Sequence, residues 1–178
     1  MSDTTERRLL DRKRGRFRST VTDLEMRVPP QGPAPAPPRA GVRVARWDRP
    51  DPGAYLDLFR RIGQSWLWHG RLVQDAADLA AMLRSPELEV WRLWVDDDVA
   101  GLCELDRSRP GEVLIAYFGL APEYIGSGLG GFLMRSMLRD AWRGDVRRVW
   151  LHTCTEDHPG ALRFYQHMGF VIRGRRTE

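Results

Sequence analysis

The chain has 178 residues, 28 of them basic and 24 acidic, with 42% hydrophobic residues and two cysteines. This length carries one domain with one core, and the composition excludes a fibrous or wholly disordered chain. Two cysteines make no disulfide framework and fit a reducing, cytoplasmic setting, and the longest apolar run, Val113 to Leu120, is too short to cross a membrane.

The net charge of +4 sits in the leading segment, because residues 1–41 hold nine basic and five acidic residues and the remainder is balanced. Its basic run ends at Arg18 and is followed by a proline-rich stretch, Pro29 to Pro38, which favours an extended, semi-rigid spacer. Residues 1–40 are therefore expected to be a disordered basic and proline-rich extension, with the folded domain at 41–178. Contact of this tail with nucleic acid would follow from its charge. A solvated extension is the simpler reading, so no nucleic-acid partner is expected, nor a membrane one.

Along the folded part, Val42 to Trp47 alternates apolar and polar residues and reads as a strand. Tyr55, Leu58, Phe59 and Ile62 recur at helical spacing, and Gly63 stops that helix. Gln64 to Leu72 is aromatic-rich and irregular. Asp75 opens a second helix that runs to about Arg84. Leu88 to Val95 and Val99 to Leu105 form a hairpin around an acidic turn, Asp96 to Asp98. Glu112 to Leu120 is the most apolar strand and is expected at the centre, buried on both faces. A glycine-rich loop, a helix from about Leu129 to Arg143, a strand from Val146 to Thr155, a short helix from Pro159 to Met168 and a strand from Phe170 to Arg173 complete the chain. The order predicts an α+β fold: a mixed, mostly antiparallel sheet with helices on both faces. A right-handed crossover should place strands 112–120 and 147–155 side by side and parallel.

The loop carries the chemistry. Pro122-Glu-Tyr-Ile-Gly126-Ser-Gly128-Leu-Gly130-Gly131 joins a buried strand to a helix. Glycines there permit positive φ and close ligand approach, and free N–H groups at the helix start favour an anion such as a diphosphate. A lysine-type phosphate loop is excluded, because the loop ends Gly131-Phe132 with no Gly-Lys-Ser/Thr. Gly126, Gly128 and Gly131 satisfy the dinucleotide pattern, but the first glycine lies five residues beyond the strand and too little sequence follows. A third reading is coenzyme A.

At these residues the chain resembles the GCN5-related N-acetyltransferase (GNAT) family. Its Gln/Arg-x-x-Gly-x-Gly/Ala motif is matched by Ile125-Gly-Ser-Gly128-Leu-Gly130. Its Asn-x-x-Ala-x-x-x-Tyr helix, followed by Gly-Phe, is matched by His158-Pro-Gly-Ala161-Leu-Arg-Phe-Tyr165 and Gly169-Phe170. Ile125 and His158 depart from the pattern. The resemblance implies a GNAT-like acyl-CoA N-acyltransferase fold and direct acetyl transfer from acetyl-CoA to a primary amine of a small molecule or peptide. It also implies backbone contacts to pantetheine around Phe118 and Leu120. The cradle for the diphosphate would run over Ile125, Gly126, Ser127, Gly128, Leu129, Gly130 and Gly131, with His158 near the pantetheine arm. Tyr165 would protonate the departing sulfur. Glu112 and Glu104, near the two ends of one hairpin, would lie close together as candidate bases. Trp66, Trp68, His69 and Arg71 would border the acceptor.

Three further readings complete the set. His152, Cys154 and His158 have a zinc-like spacing but no evident fourth ligand, so no metal is expected. A non-catalytic acetyl-CoA-binding sensor or partner module on the same fold is the rival to an enzyme. A homodimer is compatible with the sequence, which does not otherwise address assembly.

Overall fold

A computed structural model describes residues 18–178, and the basic run up to Phe17 lies outside them. The elements are β1 (Thr20–Met26), β2 (Val42–Arg46), α1 (Pro52–Gly63), α2 (Ala76–Arg84), β3 (Leu88–Val95), β4 (Asp98–Asp106), β5 (Glu112–Leu120), α3 (Leu129–Ala141), β6 (Arg148–Cys154), α4 (Ala161–His167) and β7 (Val171–Thr177). They build a seven-stranded sheet in the order β2-β3-β4-β5-β6-β1-β7. Only β5 and β6 pair in parallel; the other neighbours are antiparallel. This is the mixed α+β fold expected from the sequence.

Local chemistry sets the helix starts. The Asp51 carboxylate accepts from the Ala54 N–H at 2.9 Å, with Pro52 in the first turn of α1. Asp75 does the same for Ala77 at 2.8 Å at the start of α2. Both caps satisfy N–H groups that a helix leaves without internal partners. Tyr55, Phe59 and Ile62 of α1 are fully buried with Leu79 and Leu83 of α2 against Val90 and Leu102 of the sheet. On the opposite face Phe132, Leu133, Met134, Met137 and Leu138 of α3 pack on Leu93, Leu105, Val113, Val149 and Leu151. Helices thus lie on both faces of the sheet, but within β5 only Val113 and Ile115 are buried and the rest is half-buried, so the expectation of a strand buried on both faces is corrected: its second half lines an open cleft.

The fold does not start at Gly41. Thr20–Met26 is a strand that lies between β6 and β7 and pairs with both. Val21, Leu24 and Met26 are buried, and Leu24 and Met26 join the α3-side core. The expectation of disorder over residues 20–26 is therefore corrected. Their partners, Val149 to Cys154 and Val171 to Thr177, lie more than 120 positions away, and their hydrophobic pattern is interrupted by Asp23 and Glu25. Burial of Glu25 is compensated by Arg27, Arg148 and Arg173. The proline-rich stretch then connects β1 to β2 across the sheet. Five strand spacings amount to about 24 Å, and fifteen extended residues reach about 45 Å. Arg139 of α3 donates to the Gly32 carbonyl at 3.5 Å along this crossing.

Two irregularities position the site. β5 and β6 are paired only over Glu112–Leu114 and Arg148–Trp150, although β5 continues to Leu120 and β6 to Cys154. Beyond that point they part. The β4–β5 register also shifts, because Glu104 faces Tyr117 while Leu105 faces Ile115, leaving Ala116 as an extra residue. A bulge of this kind bends and twists its strand. It lies at the level where the strands separate.

Candidate active site

The separation of β5 and β6 opens a cleft of about 520 Å³. One wall is the glycine loop and the start of α3. The other is the irregular segment 64–73, with β6, β1 and the start of α4 beneath. Phe118, Leu120, Ile125, Gly126, Gly128, Gly130, Gly131, His158, Tyr165, Trp66, Trp68 and His69 all line it, so most of the sequence-derived site is brought together.

Gly126 and Gly128 have φ of +82° and +81°, and a Cβ at either would meet nothing within 4 Å. Glycine is needed there for backbone conformation, not for space. Gly128 caps α3 without any side-chain hydrogen bond. The Leu129 N–H donates to the Ser127 hydroxyl at 3.4 Å, which leaves the next first-turn N–H groups, those of Gly130 and Gly131, for an anion at the positive end of the helix. Ile125, the departure from the family motif, is 39% exposed at the cleft edge and supplies no polar atom. Ser127 and Leu129 do not line the cleft. The Ser127 hydroxyl donates to the Tyr124 carbonyl, and Leu129 is buried in the α3-side core.

Tyr165 stands at the floor. Its ring is 6.3 Å from Phe118, 5.5 Å from Phe164 and 6.2 Å from Phe170, centroid to centroid. Burial, reinforced by the nearby Asp157 charge, holds its hydroxyl well above the usual phenol range. It is a protonated acid at neutral pH. Asp157, which the sequence does not single out, also lines the cleft. α4 begins later, at Ala161, and Asp157 turns back onto β6. Its Oδ2 accepts from Thr153 Oγ1 at 2.6 Å and from the Cys154 N–H at 3.0 Å. These bonds fix the carboxylate. A Thr and an Asp four residues apart at a strand end were the available signal.

The two candidate bases are not neighbours. Glu104 faces Tyr117 across the β4–β5 pair, whereas Glu112 lies five residues earlier on β5, roughly 17 Å along the strand. Glu104 is fully buried and engaged by Tyr55 and Arg71, and it does not line the cleft. Glu112 pairs with Arg148 at 3.2 Å and borders a separate, smaller pocket with Asp106, Arg109 and Trp150. The expected juxtaposition is therefore corrected: the bulge and the five-residue offset carry the two carboxylates apart. Arg71 likewise turns away from the cleft, toward Glu104.

The segment 64–73 is built tightly. Leu67 adopts φ +55°, reversing the chain after a 3-10 turn at Gln64–Trp66. Trp68 packs on Phe59 and Tyr117 at 5.3 and 5.0 Å. A Cβ on Gly63 would lie 2.4 Å from Trp68, and one on Gly119 would lie 3.0 Å from it, so both glycines make room for the indole. Trp66 instead crosses to the other side, its ring 5.1 Å from His158. His158 Nδ1 accepts from the Gly160 N–H at 2.9 Å, which places the proton of the neutral ring on Nε2. Among the described residues, no three His, Cys, Asp or Glu side chains group so as to hold a metal, and no helix is long and apolar enough to cross a membrane.

Comparison with known proteins agrees with this geometry. The model of the Acetyltransferase (GNAT) family matches residues 44–170. The mycothiol acetyltransferase of Acidothermus cellulolyticus is 37% identical over 84 residues, which are 46% of this chain and 24% of that protein. The chain thus corresponds to about a quarter of that relative's length. Among solved structures, a GCN5-related N-acetyltransferase from Sphaerobacter thermophilus superposes with a TM-score of 0.63 at 21% identity, over 98% of this chain and 54% of that one. A GNAT family acetyltransferase from Elizabethkingia anophelis, solved with acetyl-CoA bound, gives 0.58 at 17% identity, over 76% and 80%. Those two likenesses concern the fold. With the family model spanning the sheet from β2 to the end of α4, the chain belongs to the GNAT acetyltransferase family.

Proposed function

We propose that this chain transfers the acetyl group of acetyl-CoA directly to a primary amine. The observation that carries the reading is the parting of β5 from β6 beside a helix that starts at a positive-φ glycine, with Tyr165 lining the gap. The freed edge of β5 offers N–H and C=O groups around Phe118 and Leu120 that suit the amides of a pantetheine arm, in the manner of an added strand. The N–H groups of Gly126, Gly128, Gly130 and Gly131 suit its diphosphate. The loss of a side-chain contact at Ile125 leaves this backbone cradle intact.

The chemistry needs three things. The amine must be neutral, although its ammonium has a pKa near ~10. The oxyanion needs a preorganised donor, for which a β5 backbone N–H near Leu120 or Phe118 is suited. The departing thiolate needs a proton, which Tyr165 holds across the neutral range. Asp157, fixed by Thr153 and the Cys154 N–H, would hold the acceptor ammonium and draw its proton toward the cleft floor. Trp66, Trp68 and His69 form the acceptor wall.

Calorimetric titration with acetyl-CoA, with NADH as comparator, tests the cofactor assignment. Release of free CoA across a panel of primary amines tests the chemistry. Micromolar binding of acetyl-CoA alone, followed by amine-dependent CoA release, is expected. Binding without release from any amine would instead make the chain a CoA-sensing module, and no binding would overturn the assignment.

A further inference from the structure

Glu104 has no part in the chemistry above, yet three elements converge on its buried carboxylate. Tyr55 of α1 donates its hydroxyl to Oε1. Arg71 of segment 64–73 donates from Nη2 to Oε2 at 2.8 Å. The same guanidinium lies over the Tyr117 ring of β5, 5.2 Å from its centroid. Glu104 is completely buried and the Arg71 side chain is only 19% exposed. Arg71 Nε is buried without an acceptor, and Glu104 is the carboxylate that balances this charge, with the rings of Tyr117 and Tyr55 beside it. The other hydrogen bonds of the segment are local: Trp68 to Gly63, and Leu72 and Val73 to His69. Next to Arg71, Gly70 rests on the Tyr117 hydroxyl so closely that a Cβ there would lie 2.5 Å from it. The Arg71–Glu104 pair is therefore the one polar tie that fastens the segment to the sheet among the described residues.

We infer that Glu104 is a positioning residue: through Arg71 it fixes segment 64–73 as the wall of the acceptor end of the cleft, and so sets which acceptors fit. The inference rests on the reading of that cleft as the acetyl-transfer site. A buried ion pair suits this task better than apolar packing, because its geometry admits one register of the segment and a slipped register leaves a charge unpaired. It also accounts for a carboxylate on the central part of the sheet that touches nothing in the cleft.

The two cysteines provide the test. Cys154 lines the cleft below this wall, whereas Cys103 is wholly buried on β4. Modification of the full chain by a small aromatic disulfide, followed by colour release, reads access to Cys154. Reaction at Cys103 reports unfolding. Glu104→Gln keeps the acceptor for Tyr55 but removes the charge facing Arg71. It is expected to raise the Cys154 rate about tenfold, the factor of one weakened charge-assisted hydrogen bond, with Cys103 still silent. The acceptor KM should rise while acetyl-CoA affinity holds. Should Glu104→Gln expose Cys103, the paired variant Glu104→Met with Arg71→Met removes both charges and is expected to fold and show the same gain. Wild-type Cys154 rates in a folded variant, with the acceptor KM unchanged, would overturn the inference. Failure of acetyl-CoA to protect Cys154 in the unaltered chain would instead count against the acetyl-transfer reading.

Discussion

Replacing Tyr165 by Phe deletes one oxygen and separates catalysis from packing. The ring is nine-tenths buried among Phe118, Phe164 and Phe170, and all three contacts survive the substitution. The hydroxyl has no protein hydrogen-bond partner among the described residues, so its removal leaves no group unsatisfied. The stability change should stay within about 1 kcal/mol. If Tyr165 protonates the leaving thiolate, turnover should fall by roughly 10²–10⁴, or about 2.7–5.5 kcal/mol of barrier. Acetyl-CoA affinity should be unchanged, because the proposed contacts come from the backbone of the glycine loop and β5.

The pH dependence has a definite sign. Burial raises the Tyr165 pKa above that of the unfolded chain, near ~10. The folded state then keeps a proton that the unfolded state loses, so this contribution to stability is complete below about pH 10 and is lost as pH rises above it. The wild-type chain should lose stability faster than Tyr165→Phe in that alkaline range, by denaturant titration. The pH–rate profile should show no falling limb from Tyr165 below about pH 10. CoA release by the variant at the wild-type rate would remove Tyr165 from the mechanism. A large loss of stability would show that the hydroxyl is hydrogen-bonded in the folded chain and would refute the separation of catalysis from packing.

Arg135 is exposed on α3 and folds back so that Nη1 lies 3.2 Å from where a Gly131 Cβ would be. Arg135→Ala should therefore weaken acetyl-CoA binding about tenfold at low salt and less at high salt, with acetyl-pantetheine unaffected; equal affinity would place the guanidinium outside the phosphate field. Glu112→Gln should leave turnover intact and cost at most about 1 kcal/mol of stability, because its partner Arg148 is partly exposed and also held by Glu25. A collapse of turnover in that variant would return Glu112 to the mechanism. Asp157→Asn keeps an oxygen for Thr153 and Cys154 but loses the charge, so the acceptor KM should rise with acetyl-CoA affinity preserved; parallel loss of both would make Asp157 structural.

What the sequence disclosed was what is local in it. The glycine loop, the Ala161–Tyr165–Gly169–Phe170 spacing and the period of α1 each lie within a dozen residues, and all were placed correctly. The Glu104–Glu112 relation depends on how two strands pair. One bulge at Ala116 shifts that register, and no composition rule announces a bulge. Thr20–Met26 was hidden for a related reason. Its strand exists because β6 and β7 offer edges at the far end of the chain, while its own pattern carries two acids beside a basic run. Arg71 was placed in the right segment with the wrong direction, since a side chain at a turn can face either layer and only its buried partner decides.

The same distinction explains why the half of the cleft proposed for the cofactor is easier to read than the half proposed for the acceptor. The first is made chiefly of backbone: the N–H groups of a glycine turn and the freed edge of β5. Backbone groups are common to every sequence that can take the required φ, so losing Gln/Arg at Ile125 and Asn at His158 changes contacts without removing the cradle. The half proposed for the acceptor is lined by residues of β1, the stretch Trp66 to Gly70, β6 and the start of α4. Each of those is free to vary once the fold is secure. The buried Glu104–Arg71 pair lies outside the cleft and ties segment 64–73 to the sheet. A change at Trp66 or His69 would then retune acceptor choice without disturbing acetyl-CoA, whereas a change at Glu104 would move the whole wall at once.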